Sequence, residues 1–312
     1  MCEANQTQVT QIYLLGFQEL YKFKILLFIV FLLIYILILG GNAAIIILVT
    51  IVDQLKIPMF FFLKHLAAAD VLLTTTIVPM MLGIILIKEG TMPFLGCIIQ
   101  LLCLGVFGSV QCLVIAAMSY DRYLAICVPL RYASLMNPNV CFQLVFGSYV
   151  LGALLRASEI IVVFHLRFCH HNYIDHFFCD FGPLVGLSTS DTSVLMIQDF
   201  ITSIFMMSFP LAFIIISYIC ISFTILNISS ALGRKKAFST CSSHLATVCT
   251  YYGTLMTIYM VPTDYSTVNM NKYRSLLVIV VTPLMNPIIY SLRNQEIKRA
   301  VLKCTSLIRT NR

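Results

Sequence analysis

Seven stretches of the chain are almost free of charge: residues 25–52, 58–87, 93–120, 132–155 with an extension to 164, 200–233, 237–263 and 275–292. Each is long enough to cross a bilayer as a helix, which takes roughly 20 apolar residues at about 1.5 Å of rise apiece. In lipid every backbone amide must be satisfied inside its own segment. The pattern therefore predicts an all-α membrane protein, a seven-transmembrane helix bundle over residues 23–292 within one domain spanning 1–312. After the seventh stretch, Ile297, Val301 and Leu302 share a face, with Glu296, Lys298, Arg299 and Lys303 around them. This spacing predicts a short amphipathic helix lying on the membrane, in a tail of residues 293–312.

The charges between the stretches give the bundle a direction. Thirteen Lys and Arg residues, among them Arg122, Arg131, Arg234, Lys235 and Lys236, fall in segments on one side, and seven, among them Lys22, Lys88 and Arg156, on the other. By the positive-inside rule the amino terminus lies outside, with residues 1–22 extracellular and 293–312 cytoplasmic. The sequon Asn5-Gln6-Thr7 then faces the side where Asn5 can be glycosylated, while Asn227-Ile228-Ser229 reads as a chance match. A basic segment followed by a short apolar core is not seen before residue 25, so the first stretch is expected to serve as the targeting signal.

Composition narrows the class further. At 60% hydrophobic and 11% charged, the chain is far from a soluble protein, where roughly a quarter of residues are charged. The net charge of +7 lies in short segments between apolar runs, which points to membrane lipid as the partner and away from nucleic acid. The twelve Cys are scattered without a CxxC pair, so neither a zinc ribbon nor a dithiol motif is expected. The longest segment outside the stretches, residues 166–198, is too short for a catalytic domain, so no enzyme is expected.

A few polar residues lie too deep to be interfacial anchors. Asp70 sits twelve residues into the second stretch, where an unpaired carboxylate would cost several kcal/mol. Asn42 and Asn286 are its expected partners, either in a structural cluster or around a site whose charge or ion occupancy changes. Asp121 and Arg122 follow the 28 uncharged residues 93–120, as a latch or as snorkelling anchors. For a ligand, helical spacing aligns Leu101, Leu104, Gly105 and Gly108, with Ser109 beside them, on the third stretch. It likewise aligns Asp199, Thr202, Ser203 and Met206 on the fifth, and Tyr252, Met256 and Tyr259 on the sixth. Glycines beside hydroxyls and Met predict space that a packed core would fill.

The string MSYDRYLAICVPLRY at residues 118–132, with Asp-Arg-Tyr at the inner end of the third stretch, resembles the rhodopsin-like G-protein-coupled receptors. LLGF at 14–17, Gly41-Asn42, PMFFFL at 58–63, Leu66 to Asp70, Ser217-Tyr218, KAFSTCSSHL at 236–245 and PLMNPIIYSLRN at 283–294 accompany it. Together they are similar to the odorant receptor family, and Tyr251-Tyr252-Gly253-Thr254 resembles its tetrapod-type class. The resemblance implies a receptor for small volatile odorants that activates a stimulatory heterotrimeric G protein of the olfactory type and raises cyclic AMP. It implies residence in the plasma membrane of olfactory sensory neuron cilia. It also implies a Cys97–Cys179 disulfide, a switch of Asp121, Arg122, Tyr218, His244 and Tyr290, and no cofactor. In that switch His244 is expected to accept a hydrogen bond from Arg122. Where amine receptors carry an acid on the third span this chain has Leu104, so the ligand is expected to be neutral and mostly apolar. Burying a ten-atom odorant yields about 5 to 7 kcal/mol before association costs, hence affinities near micromolar or weaker.

Two departures from the family pattern qualify this. Gln111 stands where an acidic residue often faces Asp70, and one carboxylate holds sodium less well than two. Thr189 replaces the third cysteine of the long outer loop, leaving Cys169 without its usual partner. Cys169, His170, His171, His176 and Cys179 are soft ligands, but the expectation is polar loop residues and no metal. The alternatives are the same receptor acting as a chemosensor outside the nose, a ligand-gated channel or transporter, and an intramembrane hydrolase. A channel would need a polar path joining Asp70 to Arg122, and a hydrolase a nucleophile and base at matched depth.

Overall fold

The computed structural model describes residues 9–168, 172–259, 268–294 and 296–302. Each of the seven predicted spans is helical over most of its described residues. In chain order the elements are β1 (Gln11–Leu14), α1 (Lys24–Ile51), α2 (Pro58–Ile87), β2 (Gly90–Pro93), α3 (Phe94–Cys127), α4 (Tyr132–Leu135) and α5 (Pro138–Val163). There follow β3 (Tyr173–Ile174), α6 (Phe181–Val185), α7 (Ser193–Leu226), α8 (Ala231–Tyr259), α9 (Val268–Leu276) and α10 (Thr282–Arg293). A π-helical stretch, Leu277–Val281, joins α9 to α10 in the last span. Six helices among the described residues are long and apolar enough to cross a membrane. The sixth predicted span, α8, has the length but opens on Arg234, Lys235 and Lys236 and is rich in Ser and Thr. Ile25, Leu26, Leu33 and Leu37 of α1 are more than half exposed, a surface suited to lipid and not to water.

Several ends differ from those predicted. The third span continues to Cys127, so Asp121 and Arg122 lie inside a helix and not at its end. The fourth begins at Pro138, because Asn137 accepts the Val140 amide at 3.0 Å and proline suits a first helical position. It then runs to Val163, through Arg156 and Glu159, so the predicted extension toward residue 164 is helical and Arg156, counted with the outer charges, lies inside a helix. The fifth begins at Ser193, where Asp191 accepts the hydroxyl and amide of Ser193 at 2.6 and 2.9 Å. Those bonds hold the exposed Asp191 carboxyl below its ordinary range. In the tail, residues 296–302 are helical and Asn294 accepts the amides of Glu296 and Ile297. Ile297 and Ala300 are its buried positions, while Val301 and Leu302 are exposed.

The chain divides into two compact units. The first comprises Met1–Ile36, Leu72–Ser109 and Tyr149–Met206. Its sheet has the order β2-β1-β3, with β1 antiparallel to β2 and parallel to β3. Ile12 and Leu14 of β1 are fully buried against Cys97, Ile98, Val163, Ile174 and Leu184. The second unit comprises Leu37–Val71, Val110–Ser148 and Met207–Arg312. In it Pro287 of α10 lacks the N–H that would bond the Pro283 carbonyl one turn earlier. Asn42 supplies the missing donor at 2.9 Å. Gly41 lets the helices approach, since a Cβ there would come within 2.9 Å of Pro287.

Candidate functional site

In the second unit, the predicted switch residues are brought together with one change of partner. Asp121 is fully buried and Arg122 is 8% exposed, so neither is a snorkelling anchor. They form an ion pair, and Tyr132 donates its hydroxyl to the other Asp121 oxygen at 2.7 Å. His244 of α8 is fully buried, with Nδ1 2.6 Å from the Tyr218 hydroxyl of α7 and Nε2 3.1 Å from the Ile115 carbonyl of α3. A carbonyl only accepts, so Nε2 carries the proton and Nδ1 accepts from Tyr218. The expected Arg122-to-His244 bond is therefore replaced: the Arg122 guanidinium is engaged by Asp121, and His244 reaches the third span through its backbone. Tyr290 of α10 is fully buried.

The Asp70 cluster is also in this unit. Gln111 and Asn286 each donate an amide N–H to one Asp70 oxygen, at 2.7 and 2.8 Å. Asn42, expected to bond Asp70, instead turns its amide to the carbonyls of Ile38 and Pro283. Both carboxylate oxygens are thus met by neutral amide donors. Gln111 serves as a partner in its own right. Tyr252, predicted to face ligand, lies with its hydroxyl 3.2 Å from the Cys112 thiol. Met256 is half-buried on α8, and the Tyr259 side chain lies outside the described residues.

The remaining predicted ligand positions fall in the first unit. Leu101 and Leu104 are half-buried, and a Cβ added at Gly108 would meet nothing within 4 Å. Gly105 and Ser109 do not line open space. A Cβ at Gly105 would run into the Arg156 side chain, and Ser109 packs on Gly152 while donating to the Gly105 carbonyl at 2.7 Å. Thr202 and Met206 are buried on α7 and Ser203 is half-buried.

Arg156 belongs to a feature that sequence reasoning missed. Its Nη1 donates to Glu159 at 2.7 Å and to Asp199 of α7 at 3.0 Å, joining two spans. The signal was present in the i, i+3 spacing of Arg156 and Glu159. Counting Arg156 with the outer charges concealed it. Gln100 was missed as well: it donates to the Thr76 carbonyl of α2 and accepts the Cys179 amide, both at 2.8 Å. Beside it, Cys97 and Cys179 form the expected disulfide, with Cα atoms 5.4 Å apart. Oxidised, Cys179 is no thiolate ligand, and His176 is buried with its ring 4.6 and 4.3 Å from those of Phe177 and Phe178. Thr189 bonds the Arg167 carbonyl through its amide and hydroxyl, holding the loop where the family has its third cysteine. Cys169, His170, His171 and the Asn5 sequon lie outside the described residues.

Comparison with known proteins places this geometry. A family model described as olfactory receptor matches residues 31–307. Olfactory receptor 5P76 of Mus musculus is 44% identical over 299 residues, 96% of this chain and 95% of that protein. Olfactory receptor 5P68, also of Mus musculus, is 44% identical over 300 residues, 95% of each. Olfactory receptor 5G26 of Mus musculus is 43% identical over 303 residues, 97% of this chain and 95% of that protein.

Proposed function

This chain belongs to the olfactory receptor family, and from that premise we propose that it binds small, neutral, mostly apolar volatile molecules and activates a stimulatory heterotrimeric G protein of the olfactory type, raising cyclic AMP. It is a multi-pass membrane receptor and not an enzyme. The proposed place of action is the plasma membrane of olfactory sensory neuron cilia. Ligand binding shifts the population between two packings of the helices, and the ligand can shift it only by its preference for the active one.

The observation that carries this reading is the His244 contact set. One imidazole ties α8 to a hydroxyl on α7 and a carbonyl on α3, so any movement of α8 away from α3 must break a buried hydrogen bond. The Asp121–Arg122 pair sits in the same unit, and its release would expose a guanidinium to an incoming G-protein segment. A screen of volatile compounds against cyclic AMP, in cells with measured surface receptor, tests the assignment. Odorant-dependent cyclic AMP that disappears without the stimulatory G protein is expected. Ligand-gated current persisting without any G protein would establish the channel reading instead.

A further inference from the structure

The Arg156, Glu159 and Asp199 cluster lies wholly within the first unit, and Gly105 and Thr202, two positions aligned for ligand, adjoin it. A buried ionisable group within a membrane span calls for a function or a partner. Most of its bonding is internal: Arg156 Nη1 serves Glu159 Oε2 and Asp199 Oδ1 together. Two buried polar atoms, Glu159 Oε1 and Arg156 Nε, have no partner at hydrogen-bonding distance, and the Thr202 hydroxyl stands beside the Glu159 carboxylate. Glu159 as a residue is only 2% exposed.

These two atoms differ in kind. An ionised carboxylate oxygen only accepts, and the guanidinium Nε–H only donates. Each is one bonded carbon away from the Nη1–Oε2 contact. A ligand carbonyl could satisfy Arg156 but not Glu159, and an ammonium Glu159 but not Arg156. One hydroxyl satisfies both, its hydrogen given to Glu159 Oε1 and its oxygen receiving Arg156 Nε–H. An anionic ligand is disfavoured because two carboxylates already face the single guanidinium. The absence of a side chain at Gly105 lets the Arg156 stem lie where it does.

We propose that Arg156 and Glu159 form the polar anchor of the ligand site and select alcohols and phenols over carbonyl and amine compounds of the same carbon skeleton. This rests on the reading of the chain as a receptor for small volatile molecules and adds the chemical class of the ligand.

The test uses the full chain in cultured cells, with surface receptor quantified. The probes are alcohols and phenols of graded size, each with its aldehyde or ketone and its amine on the same skeleton. Cyclic AMP is one readout, and the shift in melting temperature of the detergent-solubilised receptor, which needs no G protein, is the other. Hydroxyl members should act at concentrations at least about tenfold lower than their counterparts, since a site built for a hydroxyl discriminates strongly against analogues lacking it. In Glu159→Gln the amide oxygen can keep the Arg156 contact while an N–H₂ donor replaces the free acceptor. Preference should then turn toward the carbonyl members. Arg156→Lys keeps the cation but removes Nε–H and should erase the hydroxyl preference. Equal potency across the three classes, preference for carbonyls or amines, no melting shift with any probe, or variants that weaken all classes by one factor would each overturn the proposal, the last marking a plain α5-to-α7 clamp. Melting shifts by hydroxyl members without cyclic AMP would sink the signalling assignment and leave the anchor standing.

Discussion

A proline inside a membrane helix leaves one carbonyl without its donor, and in lipid no water can replace it. Pro287 does this to Pro283, and the neighbours Gly41 and Asn42 answer it jointly, one by making room and the other by donating. That joint role explains the dipeptide better than the Asp70 partnership expected for Asn42. The four-residue step from Pro283 to Pro287 was legible in the sequence; which amide would meet the freed carbonyl was not, because only the fold sets those residues together. Asn42→Ala should destabilise the solubilised receptor by about 1–3 kcal/mol, the cost of a buried acceptor left unpaired. Pro287→Ala restores a backbone N–H, so in that background the same loss should shrink, with a coupling of about 0.5–3 kcal/mol. Melting temperatures of the two single variants and the double variant give the result, and strictly additive losses would place the work of Asn42 elsewhere.

Helix existence could be read from the apolar runs, because crossing a bilayer demands length and few charges together. Helix ends were read less well, as the start of the fourth span shows: a rule that follows polar residues alone takes no account of capping. Asn137 caps α5, which starts six residues after the predicted start, while the predicted extension is helical to Val163 and carries the Arg156 pairs. The same lesson applies to His244, whose partner was sought among charges and found in the backbone of α3 and the hydroxyl of Tyr218. His244→Leu removes both contacts, and its expected effect is raised basal cyclic AMP at equal surface expression. Tyr218→Phe removes only the α7 contact and keeps the one to Ile115, so its basal rise should be smaller. Unchanged basal activity and odorant response in His244→Leu would show that the histidine only packs, and a larger effect from Tyr218→Phe would move the restraint to α7.

At the scale of the whole chain, the succession of apolar helices followed from hydropathy. The small sheet did not, since β1 has four residues and β3 two, too few for an alternating pattern to stand out, and their pairing joins residues about 160 positions apart. That sheet and the loop behind it are tied to α3 by Cys97–Cys179, which closes a sequence separation of 82. Constraining an unfolded loop of that length is worth about 4–5 kcal/mol in the chain-entropy model, more than any single hydrogen bond nearby. The Gln100 contacts to Thr76 and Cys179 share the task but are each worth only about 1 kcal/mol. Loss of the disulfide should therefore not be made good by its surroundings. Cys97→Ser and Cys179→Ser should each abolish surface expression or odorant response. A single substitution also leaves an unpaired thiol in an oxidising compartment, where mispairing alone could trap the chain. The double variant separates the two causes, because it has no orphan thiol yet still lacks the tether. If the tether matters, the double variant should be as poorly expressed at the surface as either single one; recovery of surface receptor and response in it would assign the defect to the stray thiol and show that the outer loop holds its place without the bond.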